Sequence, residues 1–167
     1  GNFDEAIRLC QQSLEIKDQQ GNLLGKSKTL AMMARIYFTS GDLEGAMKLY
    51  QQSLVIEEKM GDLQGKGVTL AWIAAIETAR ENLDKALSFY REALQVADQV
   101  GDVRTKASAL HGMAGICIAG NDFDKAMKLY QQSLEIKEGL GDLQGKAMTL
   151  GMMSKVFWGN KNYKDAI

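Results

Sequence analysis

Apolar positions recur along this chain in steps of three and four. In one stretch they fall at Ala46, Leu49, Tyr50 and Leu54, and in the next at Leu70, Ile73 and Ala74. Such spacing gathers the apolar members on one stripe of an α-helix. Gly61-Asp62 stands between the two stretches. Glycine reaches the left-handed conformation that ends a helix, and the aspartate after it can accept a backbone N–H as N-cap of the next helix. Gly101-Asp102 and Gly141-Asp142 repeat the pair, and Gly21-Asn22 varies it with an asparagine. Proline is absent, so glycine is left to punctuate the chain. The pattern predicts antiparallel helices joined by tight turns.

The pattern is also periodic. GNFDEAIRLCQQSL from Gly1, GDLEGAMKLYQQSL from Gly41, ENLDKALSFYREAL from Glu81 and NDFDKAMKLYQQSL from Asn121 align at 40 residues without an insertion. A partial fifth copy, KNYKDAI, starts at Lys161. Self-similarity at such a period is the signature of a repeat architecture. The expected layout is one array over 1–167: a lone second helix in 1–20, helix pairs in 21–60, 61–100 and 101–140, and a first helix with the start of a second in 141–167. That makes about eight helices. A chain beginning on glycine rather than methionine is expected to be part of a longer protein.

These residues resemble the tetratricopeptide repeat in its 40-residue form, as in kinesin light chains, Pins-type adaptors and bacterial regulators. The small helix-crossing residues of that family match Ala34, Ala74, Ala114 and Ser154 on the first helix of each pair (helix A). On the second (helix B) they match Ala6, Ala46, Ala86 and Ala126. Its bulky packing position matches Tyr50, Tyr90 and Tyr130, with Cys10 in the first copy. The turn glycine matches Gly41, while Glu81, Asn121 and Lys161 replace it elsewhere, and the family's terminal proline is missing. The resemblance implies an all-α, right-handed α-solenoid of antiparallel helix pairs. Alanine at a crossing lets two helices approach closely, and a larger residue there costs about 1–3 kcal/mol of overpacking.

Composition removes several functions. GNLLGKSKT at 21–29 looks like a phosphate loop, but only three residues separate Gly21 from Gly25, where the phosphate-cradling loop needs four. The near-motif recurs at Gly61, Gly101 and Gly141, and the later copies lack the magnesium-holding hydroxyl. A net charge of -1 argues against a nucleic-acid partner, and no apolar run is long enough to cross a membrane. Cys10 and Cys117 show no metal or redox spacing and fall at packing positions. His111 is the only histidine, so no second imidazole exists to build a metal site with it. No Ser-His-Asp order, paired-carboxylate pocket or HExxH motif is present. The sequence therefore predicts no enzyme and no cofactor, and a cytoplasmic location by default.

In the family that the residues resemble, A helices line a concave surface that holds ligands. Carried over by position, the groove would include Lys28, Met32, Arg35, Phe38, Trp72, His111, Met152, Lys155 and Trp158. Copies 41–80 and 121–160 agree closely through helix B and the turn but share nothing between AWIAAIETAR and GMMSKVFWGN, where the groove should be. The A stretches carry Lys26, Lys28, Arg35, Lys66, Arg104, Lys106, Lys146 and Lys155 against one acid, Glu77. Such a surface suits an acidic segment with apolar anchors, steered by Lys and Arg and held by Met and Trp. Plainer readings stand beside it: lysines at helix starts are often merely solvated, and Trp72 can serve packing as well as a groove. The expected function is a protein–protein interaction module binding a peptide in that groove. The alternative is a self-assembling scaffold, associating end to end through exposed terminal helices. An asparagine-containing clamp is not available, because the A helices hold no asparagine.

Overall fold

The computed structural model describes residues 3–165, with side chains described up to residue 160. Eight helices follow one another: α1 (Phe3–Gln19), α2 (Leu23–Ser40), α3 (Leu43–Met60), α4 (Leu63–Ala79), α5 (Leu83–Val100), α6 (Val103–Ala119), α7 (Phe123–Gly139) and α8 (Leu143–Asp165). The most extensive packing joins α2 to α3, α4 to α5 and α6 to α7, and each pair then leans on the next. The solenoid follows because no pair covers both of its own faces. The partial copy at 161–167 falls where α8 runs on to Asp165. Its side chains, and residues 166–167, lie outside the described residues.

All seven turns between helices share one geometry. In each, the cap residue's N–H bonds a carbonyl five residues back, as in Asp62 to Glu57 and Asp142 to Lys137, both 2.9 Å. This is the Schellman closure. Gly21, Gly41, Gly61, Gly101 and Gly141 supply its positive φ, and where glycine is replaced Glu81 (φ 63) and Asn121 (φ 59) adopt the same conformation. At six of the seven the following Asp or Asn side chain then caps the next helix, as Asp62 Oδ1 accepts from Gly65 N at 3.0 Å, whereas the Asn82 amide donates to Glu77 Oε2.

The second glycine of the near-motif has a steric reason. A Cβ on Gly45, Gly65 or Gly145 would meet the capping aspartate at 2.5, 2.6 or 2.1 Å. Thr105 stands there in the third repeat, and its hydroxyl donates to Asp102 Oδ2 at 2.6 Å. GNLLGKS is a capped turn, and its glycines serve chain reversal and cap closure.

Helix crossings close over small residues. Ala34, Ala74 and Ala114 on A helices and Ala46, Ala86 and Ala126 on B helices are fully buried, with Tyr50, Tyr90 and Tyr130 filling the space between them. Ser53 and Ser133 donate hydrogen bonds to the Ser27 and Ala107 carbonyls across these contacts.

Candidate functional site

A cleft of about 750 Å³ opens between α2 and α4. Lys28, Met32 and Arg35 line it from α2, Trp72 and Val68 from α4, and Tyr50, Glu57 and Met60 from α3. Trp72 stacks on Tyr50 with ring centroids 6.0 Å apart and 9° between planes. Phe38 meets the same indole edge-on at 5.7 Å. Trp72 thus both packs and lines, and only part of it stays open to solvent.

The cleft floor holds two buried polar groups with unmet hydrogen bonding. Glu57 is only 4% exposed. Its Oε1 lies 2.8 Å from Ser53 Oγ and accepts from Thr69 Oγ1 at 3.1 Å. Ser53 has a single hydroxyl proton, and it also faces the Ser27 carbonyl at 2.9 Å. Glu57 Oε2 and the Tyr50 hydroxyl have no partner. Burial raises the Glu57 carboxyl above its ordinary range, and Asp62 and Glu58 push the same way against the Ser53 and Thr69 hydrogen bonds. Burial raises the Tyr50 phenol too, with nearby Arg35 opposing it.

Two repeats further along, the residue in the Glu57 column is bonded within the chain, although the Tyr130 hydroxyl, like that of Tyr50, has no partner. Lys137 takes the place of Glu57, and its ammonium donates to Thr149 Oγ1 at 2.8 Å and approaches His111 Nδ1 at 3.4 Å. An ammonium can only donate, so Nδ1 is the acceptor and the ring proton sits on Nε2. His111 meets the Tyr130 ring edge-on at 5.0 Å. Burial, then the Lys137 charge, lowers its pKa from 6.5 to about 4. At the first junction Lys17 likewise donates to Thr29 Oγ1.

The nine residues expected in a groove therefore divide. Lys28, Met32, Arg35 and Trp72 share one cleft, with Phe38 bracing Trp72. His111 sits in its own polar cluster below α8. Met152 is half-buried against the core of α6, α7 and α8, while Lys155 and Trp158 are exposed on α8, Trp158 by 73%. Reading one helix at a time misses Glu57 and Lys137. The signal lay in the column: Lys17, Glu57, Ala97 and Lys137 are followed twelve residues on by Thr29, Thr69, Ala109 and Thr149, polar with polar and alanine with alanine.

The expected sorting of charge is partly consumed by structure. Lys26 pairs with Asp18, Lys66 with Glu58 (2.9 Å) and Glu92 (3.1 Å), Lys106 with Asp98 (2.6 Å) and Lys146 with Glu138 (2.8 Å). These turn-spanning pairs leave Lys28, Arg35, Arg104 and Lys155 as the A-helix cations outside the ladder. Among the described residues, no cluster of His, Cys, Asp and Glu could hold a metal ion, and no helix is long and apolar enough to cross a membrane.

The solenoid has many solved counterparts of low sequence identity. BtubC (BKLC) from P. vanneervenii aligns at 18% identity with a TM-score of 0.78, over 100% of this chain and 71% of that one. A putative kinesin light chain of nearly identical TPR-like repeats from Podosopora anserina aligns at 16% and 0.71, over 99% and 82%. A Rap protein complexed with Competence and Sporulation Factor aligns at 18% and 0.77, over 98% of this chain and 46% of that one. At these identities the likeness is one of fold. No curated protein matches the sequence. The tetratricopeptide-repeat family model matches residues 1–58 and 67–139, and with the repeated capped turns and buried alanine crossings behind it, the chain belongs to the tetratricopeptide repeat family.

Proposed function

We propose that this protein holds a peptide segment of a partner along its A helices, centred on the cleft between α2 and α4. The observation that carries the reading is that cleft, with its indole fixed by two aromatic neighbours and cations at its rim. Lys28 and Arg35 would face acidic residues of the segment and raise its rate of arrival. Met32 and Trp72 would supply apolar contact, the kind that carries most binding energy. On this reading His111, Met152, Lys155 and Trp158 extend the same line over α6 and α8. No bond is made or broken; the surface acts by being preformed, which spares the ordering cost of binding. A similar solenoid occurs in a Rap protein that was crystallised in complex with Competence and Sporulation Factor. A cytoplasmic location belongs to the same proposal.

The test is affinity capture from lysate of the source cells, with an Arg35→Glu/Trp72→Ala double variant whose fold is verified by circular dichroism. A partner retained equally by both chains would move the site off the cleft. A second reading, self-assembly through the terminal helices, is favoured by α8. Leu143, Phe157 and Trp158 are 78%, 67% and 73% exposed there, large apolar side chains open to solvent. Light scattering across a hundredfold concentration range checks it, and a constant monomer mass would exclude it.

A further inference from the structure

At the first and fourth junctions of the array, a lysine ammonium lies between a B helix and the following A helix, bonded to a threonine hydroxyl: Lys17 on Thr29 and Lys137 on Thr149. The third junction replaces both members by alanine, Ala97 and Ala109, and both are buried. The second junction keeps the threonine, Thr69, but opposes it with a carboxyl group, Glu57. Glu57 is buried, with only 4% of the residue exposed. One of its oxygens has no partner. It is also the junction that opens into the 750 Å³ cleft. Where the first and fourth junctions carry their own ammonium, this one offers an acceptor and space.

The walls select what could fill it. Leu24, Met60 and Val68 line the cleft and are 39%, 42% and 39% exposed, a lining for an unbranched alkyl chain. Asp62, which shares the lining, and Glu58 are the charges that act on Glu57, and both are negative. A carboxylate at this depth would meet like charge. An apolar group would seal an unpartnered oxygen away from water, which is costly. A guanidinium fork wants two carboxylate oxygens, and Thr69 already occupies Oε1. A primary ammonium on a flexible alkyl stem fits one free oxygen.

We propose that the cleft between α2 and α4 takes a lysine side chain of the bound segment, with its stem along Leu24, Met60 and Val68 and its ammonium on Glu57 Oε2. The Tyr50 hydroxyl, the other unpartnered buried group in the cleft, is available as a second acceptor. The proposal rests on the groove reading and sharpens it. The partner is acidic where it passes Lys28 and Arg35, and it presents one lysine at the floor.

Phage-displayed random twelve-residue peptides, panned on this chain, test it. Recovered peptides are expected to share a lysine at a fixed position. Replacing that lysine by norleucine, which keeps the stem and removes the charge, should weaken binding at least about tenfold, the usual scale for truncating one partner of a buried charge pair. Glu57→Lys should abolish the lysine preference while folding normally, because Lys17 and Lys137 already occupy equivalent positions. The norleucine comparison uses the unaltered chain and stands whether or not that variant folds. Peptides that need Trp72 but tolerate norleucine would overturn the lysine slot and leave the groove standing. Peptides indifferent to Trp72→Ala, or no recovered peptide at all, would overturn the groove reading and the slot with it.

Discussion

Gly112 offers a test in which two well-characterised effects oppose one another. It sits inside α6, where glycine costs about 0.5–1 kcal/mol relative to alanine. By propensity alone, Gly112→Ala should stabilise. The packing says otherwise. A Cβ at this position would lie 2.2 Å from Tyr90 Cζ, 2.4 Å from its hydroxyl oxygen and 2.6 Å from Cε1. These atoms belong to one rigid ring, itself 6% exposed and packed among Ala86, Ala93 and Met113. Relief requires the whole ring to move by more than an ångström. Overpacking of this kind costs about 1–3 kcal/mol. The net expectation is a loss of up to about 2.5 kcal/mol, centred near 1, once the propensity gain is subtracted. Gly151→Ala is the control, because nothing lies within 4 Å of its Cβ position; it should gain about 0.5–1 kcal/mol. Urea unfolding followed by helical circular dichroism measures both as shifts of the midpoint. If Gly112→Ala unfolds at the same or higher urea than the native chain, the ring of Tyr90 does not hold that place. The other repeats place Met32, Trp72 and Met152 in this column.

Three further outcomes follow from particular residues. Glu81 holds a φ of 63, a conformation costing about 1–2 kcal/mol for a residue with a Cβ, so Glu81→Gly should raise the urea midpoint, and an unchanged or lower midpoint would contradict the strain. His111 has its pKa lowered to about 4 from 6.5, so the folded state favours the neutral ring. Its contribution is present above pH 6.5 and is lost as pH falls through 6.5 toward 4, and thermal melts of His111→Gln should show a shallower acid limb in that window. Glu57 is shifted the other way, above 4.5, so its effect on stability is most favourable below pH 4.5 and declines as pH rises through the raised value. Glu57→Gln should therefore melt at or above the native temperature at neutral pH, with the difference shrinking toward pH 4.5; a variant markedly less stable at neutral pH would show that the ionised carboxylate is compensated in the folded chain.

The helices and turns were legible because each turn carries its own local chemistry. A left-handed glycine followed by an Asp or Asn cap is readable without tertiary information, and the fold repeats it even where Glu81 and Asn121 replace the glycine. The buried alanines were legible because a crossing tolerates little else. The lysines at 26, 66, 106 and 146 left a choice between steering and plain solvation. Each has an acid eight residues earlier, a spacing that spans a turn and is invisible to a reading confined to one helix. The cleft floor was hidden for a similar reason. Glu57 on its own helix is one acid beside another, Glu58, and only the neighbouring A helix shows that it is buried against Thr69.

In a chain of near-copies, the shared columns describe what every junction needs in order to fold. Specificity has to come from columns that break step. The buried polar column breaks step twice: alanine at 97 and 109 removes the polar pair completely, and glutamate at 57 reverses the charge. The first change leaves nothing to satisfy. The second leaves a buried oxygen without a partner, which normally costs about 1–3 kcal/mol. A substitution of alanine would have avoided that cost, as the third junction shows. An acid under those conditions, lining the cleft between α2 and α4, is more economically explained by a cation it receives than by the packing it serves.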